Sequence, residues 1–134
     1  TITITAGTGV TVKAGIIVVG DYRPFLSEGD WGGTQYGATA EPVTYSYITT
    51  DVFGVTRIVR RHAATDMKVR VVMPRERADS ALASLQEVLD VPVCWIATDT
   101  SGYAGLNVFG LGSGSMSYDS FGHAVLSINV KGFI

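Results

Sequence analysis

The chain has 134 residues, 46% of them hydrophobic, with a mean hydropathy of +0.27 and a formal net charge of −2. That length suits one domain able to bury a core. No apolar run approaches the roughly 18 residues of a membrane-spanning helix, the net charge offers no general pull on nucleic acid, and a single cysteine, Cys94, excludes an internal disulfide.

The opening segment, TITITAGTGVTVKAGIIVV, alternates isoleucine with threonine and turns at Gly7–Gly9, which predicts a hairpin. It carries no basic n-region, so no secretory leader is expected, and Thr1 fits removal of an initiator methionine. Residues 20–42 hold five glycines and two prolines without a sustained period and read as one long glycine-rich loop. Val43, Tyr45 and Tyr47 then alternate with Thr44 and Ser46, predicting a strand over 43–51. A turn at Gly54 leads into a second strand, FGVTRIVRRH.

The strand expected at 67–74 is the clearest, with Met67, Val69, Val71 and Met73 on one face, Lys68 and Arg70 on the other, and Pro74 ending it. A helix over about 77–90 comes next, its apolar stripe drawn from Ala78, Leu82, Leu85, Val88 and Leu89, with Pro92 as its terminator. VPVCWIATD reads as an apolar, central strand, and LNVFGLG (106–112) as another. GSGSMSYDSFG (112–122) reads as a turn-rich connector. The last strand alternates Leu126, Ile128 and Val130 with Ser127, Asn129 and Lys131. Seven or eight strands and one helix in a single domain, 1–134, make the class mainly β (α+β). The architecture expected is an antiparallel β-sandwich or half-barrel with one flanking helix covering a sheet face. Val71, Leu85 and Trp95 are expected in its core.

No catalytic constellation emerges. His62 and His123 are the only histidines, and with Cys94 they lack the flanking signature of a nucleophile and its base. They are too few for a zinc site, and Cys94 in an apolar strand is expected to be a small core residue. GLGSGS (110–115) lacks the lysine and following helix of a phosphate loop. Neither an enzyme nor a cofactor is expected.

Charge is segregated. Arg57, Arg60, Arg61, Lys68, Arg70, Arg75 and Arg77 are seven of the ten basic residues. The first five are expected on neighbouring strands as a stripe. No aromatic lies between Phe53 and Trp95 to stack bases, so the stripe points to an acidic neighbouring subunit rather than to nucleic acid. Charged residues are only 16% of the chain, which also favours self-association. Phe25, Trp31 and Tyr36 in the 20–42 loop fit a protein contact. The alternative is a monomeric carbohydrate-binding β-sandwich using Tyr22, Trp31 and Tyr36.

From residue 43 onward the order MKVRVVMP, ADSALASLQEVLDVPVCWIATD, GLNVFGLG and SYDSFGHAVLSINVKGFI resembles the tail-tube and distal-tail proteins of tailed bacteriophages, down to the closing Lys131, Gly132 and Phe133. The resemblance implies a β-sandwich with one flanking helix that forms hexameric rings in the tail tube or at the tube–baseplate junction of the virion. Assembly would take place in the host cytoplasm. The partners implied are copies of the chain and other tail or baseplate proteins, with no membrane and no small-molecule substrate. Residues 1–42 match nothing in that family. The subunit interface expected is Arg57, Arg60, Arg61, Lys68, Arg70, Phe25, Trp31 and Tyr36.

Overall fold

The computed structural model describes residues 3–5, 7–9, 11, 17–26 and 28–133. In chain order it contains β1 (Gly33–Thr34), β2 (Thr39–Thr44), β3 (Tyr47–Thr50), β4 (Thr56–Val59), β5 (Ala63–Pro74), α1 (Arg75–Glu87), β6 (Val93–Ile96), a 3₁₀ turn (Ala104–Leu106), β7 (Asn107–Ser117) and β8 (His123–Gly132). The fold is mainly β with one helix, and its main sheet is a curled antiparallel half-barrel. Most of the expected N-terminal hairpin lies outside the described residues. Those described before Gly33 form no strand.

The sheet runs β1–β5–β8–β7–β6, and β2 continues along the same edge of β5 as β1. The alternation in β5 and β8 sets the inner face, because side chains of opposite parity point to opposite sides. Register pairs Met67 with Val130, Val69 with Ile128, Val71 with Leu126 and Met73 with Ala124, and all eight are buried. Helix α1 covers this face through Ala78, Ala81 and Leu85. The buried line is thus turned one residue from the expected stripe. Ala81 replaces Leu82 at the contact, Leu82 and Val88 are half-buried, and Leu89 is exposed. Two alanines let the helix lie close to the sheet.

The helix also begins and ends earlier than its sequence pattern predicts. Pro74, with φ −57°, serves as its N-cap, a place where a missing N–H costs nothing. At the other end Val88 leaves helical geometry and its N–H bonds the Leu85 carbonyl, so Pro92 is not the terminator.

Three further expectations are corrected by the sheet. β6 is an edge strand, not a central one. Its Trp95 faces the core at 6% exposure, while Cys94, of opposite parity, is exposed. Next, GSGSMS is strand rather than connector, since β7 runs on to Ser117 beside β8. Its glycines are there for space. A Cβ on Gly112 would fall 2.0 Å from the Trp95 ring, and one on Gly114 would meet the Ser127 carbonyl at 2.7 Å and Leu85 at 3.1 Å. Finally, the 20–42 segment is not all loop, because residues 33–34 and 39–42 pair with β5. Phe25 and Leu26 of this segment pack against the core, and ion pairs Arg23–Glu87 and Arg77–Asp30 (2.7 Å) tie it to α1.

The strand expected over 43–51 is broken in two. The Thr44 hydroxyl donates to Ser46 Oγ at 2.9 Å and accepts from the Ser46 N–H at 3.1 Å, which ends β2. Strands β3 and β4 form a separate two-stranded ribbon. Its base is held where the Arg61 N–H donates to Ser46 Oγ at 3.0 Å. Its tip is a turn capped by the Asp51 carboxylate, which accepts from the N–H groups of Phe53 (2.8 Å) and Val55 (3.0 Å). Gly54 in that turn takes the left-handed φ of 78° that the sequence anticipates there.

Candidate interaction surface

The structure does not bring His62, His123 and Cys94 together. His123 pairs with Pro74 at the start of β8. His62 precedes Ala63, the other end of the same twelve-residue β5. Cys94 pairs with Phe109 on β7, whose carbonyl accepts from the Phe133 N–H beyond the far end of β8. At about 3.3 Å per strand residue, roughly 30 Å separates Cys94 from His123. The Ser120 hydroxyl meets His123 Nδ1 at 2.5 Å and accepts from the backbone N–H groups of Gly122 and His123, so it closes the turn before β8. Among the described residues no group of three or more His, Cys, Asp or Glu could hold a metal ion.

The basic residues do not make one stripe across neighbouring strands. Arg57 lies on β4 of the ribbon, Arg60 and Arg61 in the link to β5, and Lys68 and Arg70 on the outer face of β5. β4 and β5 are consecutive in sequence but belong to different sheets.

The three loop aromatics are likewise separated. Phe25 is half-buried and stacks on Trp95, with ring centroids 6.3 Å apart, so it belongs to the core margin. Trp31 meets the His123 ring edge-on at 6.4 Å, at the opposite end of the sheet. Tyr36 is 99% exposed and borders a groove shared with Tyr103 and Ala97. Tyr22, Trp31 and Tyr36, the residues of the carbohydrate alternative, are all exposed.

Two features stand out instead: the exposure of a hairpin whose strands the sequence predicts, and a cleft that it does not. The first is the β3–β4 ribbon, in which Tyr47, Ile48, Val52, Phe53, Val55, Ile58 and Val59 are all exposed; Val52 and Phe53 at the tip reach 93% and 87%. Two-stranded ribbons alone are marginal in water, and contiguous exposed apolar surface marks an interaction site. A signal was available in ITTDVFGVTRIV. Together with the preceding Tyr47, its apolar residues occupy both parities of the two strands, Tyr47 and Ile48 on one and Ile58 and Val59 on the other, more than one buried face could use.

The second feature is a cleft of about 760 Å³ on the inner face of the half-barrel, beside α1. Its floor includes the buried Met67, Val69, Val71 and Trp95, Ser84 and Val88 of the helix form one wall, and residues 21–26 complete its lining. Asp21 and Asp99 lie on its lining. Neither carboxylate is in an ion pair among the described residues. The cleft arises because α1 covers only part of a sheet whose two edges curl toward each other. They meet where Thr34 Oγ1 donates to the Ala97 carbonyl at 2.8 Å. No periodicity in the sequence carries that information.

No family model, no curated protein and no solved structure matches this chain.

Proposed function

We propose that this chain is a structural protein of a bacteriophage tail, a subunit that assembles with copies of itself into a ring, hexameric by the resemblance, in the tube or at the tube–baseplate junction. The observation that carries self-assembly is the apolar ribbon, seven large side chains exposed on a hairpin that pairs with no other strand among the described residues. Low overall charge, at 16% of residues, fits a surface meant to be covered. The open edges of β6 and β2 add unpaired backbone groups, which assemblies commonly protect by closure or by a neighbour. The tail assignment itself comes from the order of elements between residues 43 and 134. On this reading its partners are its own copies and other tail or baseplate proteins, its place is the virion, and it performs no chemical step.

Light scattering with negative-stain imaging at several concentrations tests the proposal. Closed rings of uniform size are expected as concentration rises. A chain that stays monomeric throughout, alone and with tail tubes from a phage carrying it, overturns the reading.

A further inference from the structure

We infer that the tip of the β3–β4 ribbon of one copy seats in the inner-face cleft of the next, so that the contact is head-to-tail. This deepens the self-assembly reading and rests on it. The ribbon and the cleft agree in apolar character, charge and placement. The tip offers Val52, Phe53 and Val55, almost fully exposed or half so, and the cleft offers half-buried Phe25, Leu26, Val88 and Val93 and exposed Ile96 around a floor that is itself buried. At about 760 Å³ the cleft falls in the range of pockets that enclose compact ligands, enough for the side chains of a hairpin tip.

Charge agrees in sign. Arg57, Arg60 and Arg61 lie on the ribbon and its base, and none is in an ion pair among the described residues. Asp51, the ribbon's acid, is occupied in capping the turn. On the cleft side Asp21 and Asp99 belong to the lining, while Arg23, also on it, is already matched by Glu87. Opposed charges at the margin would set orientation and rate of encounter more than affinity. The apolar tip would supply the affinity.

Topology agrees as well. The ribbon leaves the sheet at Ser46 and Arg61, beside the β2 edge, whereas the cleft opens on the concave face toward β6. Each chain therefore carries one donor and one acceptor on different surfaces. A contact of that kind is heterologous, and it closes into a ring or propagates as a filament according to its rotation.

The experiment uses two variants of the full chain in a Cys94→Ser background, one with Val52→Cys at the tip and one with Ser84→Cys in the cleft wall. The two are mixed under mild oxidation and the linked peptides identified by mass spectrometry. The expected result is a 52–84 link in large excess over 52–52 and 84–84 links. That link should be lost on Phe53→Asp and weakened about tenfold by Arg57→Glu with Arg60→Glu. Asp21→Arg with Asp99→Arg on the acceptor should restore it to the charge-reversed donor. Rings that form without the 52–84 link, or with only symmetric links, overturn this contact and leave the ring standing. A mixture that remains monomeric and unlinked at every concentration overturns both.

Discussion

Thr34 and Ala97, 63 residues apart in sequence, are joined by a 2.8 Å hydrogen bond from the Thr34 hydroxyl to the Ala97 carbonyl, and this bond ties the first edge of the half-barrel to the last. It stands between the inner-face cleft and the shallower groove bordered by Tyr36 and Tyr103. Thr34→Val keeps the shape of the side chain and removes the donor. Because the bond is exposed, the expected loss is small, about 0.5–1 kcal/mol. Amide exchange should report it better than global melting. The N–H of Gln35, which donates to the Arg70 carbonyl at 2.8 Å, should exchange faster while amides of β8 stay unchanged.

Gly112 has the tightest side-chain constraint in the sheet, since any Cβ there overlaps the Trp95 ring. The indole is itself fixed, its Nε1–H donating to the Gly110 carbonyl at 3.1 Å. Gly112→Ala must push the ring out or distort the β6–β7 pairing. We expect a loss of about 1–3 kcal/mol by urea denaturation, together with a red shift of tryptophan emission as Trp95 gains contact with water. Gly105→Ala, whose added carbon has only Ala40 at 3.8 Å, should leave both readings close to wild type.

Leu85 is 2% exposed and sits over Gly114 at the centre of the helix–sheet contact. Leu85→Ala should cost about 2–5 kcal/mol by chemical denaturation, through lost burial and the space left behind. Leu82, half-buried on the same helix, should cost distinctly less when cut to alanine. Equal losses at the two positions would contradict an orientation of α1 that turns Ala78, Ala81 and Leu85 to the sheet.

Cys94→Ser should change stability by no more than about 0.5 kcal/mol, as for other exposed positions. A thiol reagent should label Cys94 in the folded monomer at nearly the rate seen in urea, and more slowly once copies assemble over the cleft it lines. Slow labelling of the monomer would mean that β6 is covered, as it would be in a central strand.

The two surface ion pairs that pin residues 23 and 30 to α1 should matter little to global stability. Arg77→Ala is expected to cost about 0–1 kcal/mol, and less at high salt.

Much of the fold was legible from local pattern. The period of two in residues 67–74 and 126–131 determines which strand side chains must leave water, and the three-four spacing over 78–89 marks a helix, although of that stripe only Ala78 and Leu85 are fully buried. The turn at Gly54 was equally local, since it needs only a residue at ease with positive φ. The candidate surface was less legible. Arg57 and Lys68 look like members of one stripe in a linear reading, but a hydrogen-bonded break at Thr44 and Ser46 puts them on different sheets.

By itself, then, the sequence determined the class of the fold, antiparallel strands with a helix on the apolar face, because alternation and helical spacing are properties of neighbouring residues. Tertiary structure decided the rest. Gly112 and Gly114 read as turn residues until Trp95 and Leu85, distant in sequence, occupy the space they leave. The position of β6 at an edge, the exposure of Cys94, the cleft that residues 21–26 help to line and the isolation of the β3–β4 ribbon are likewise set by which strand pairs with which. That pairing is a long-range choice, stabilised by the sum of buried contacts across the sheet, and no single segment encodes it.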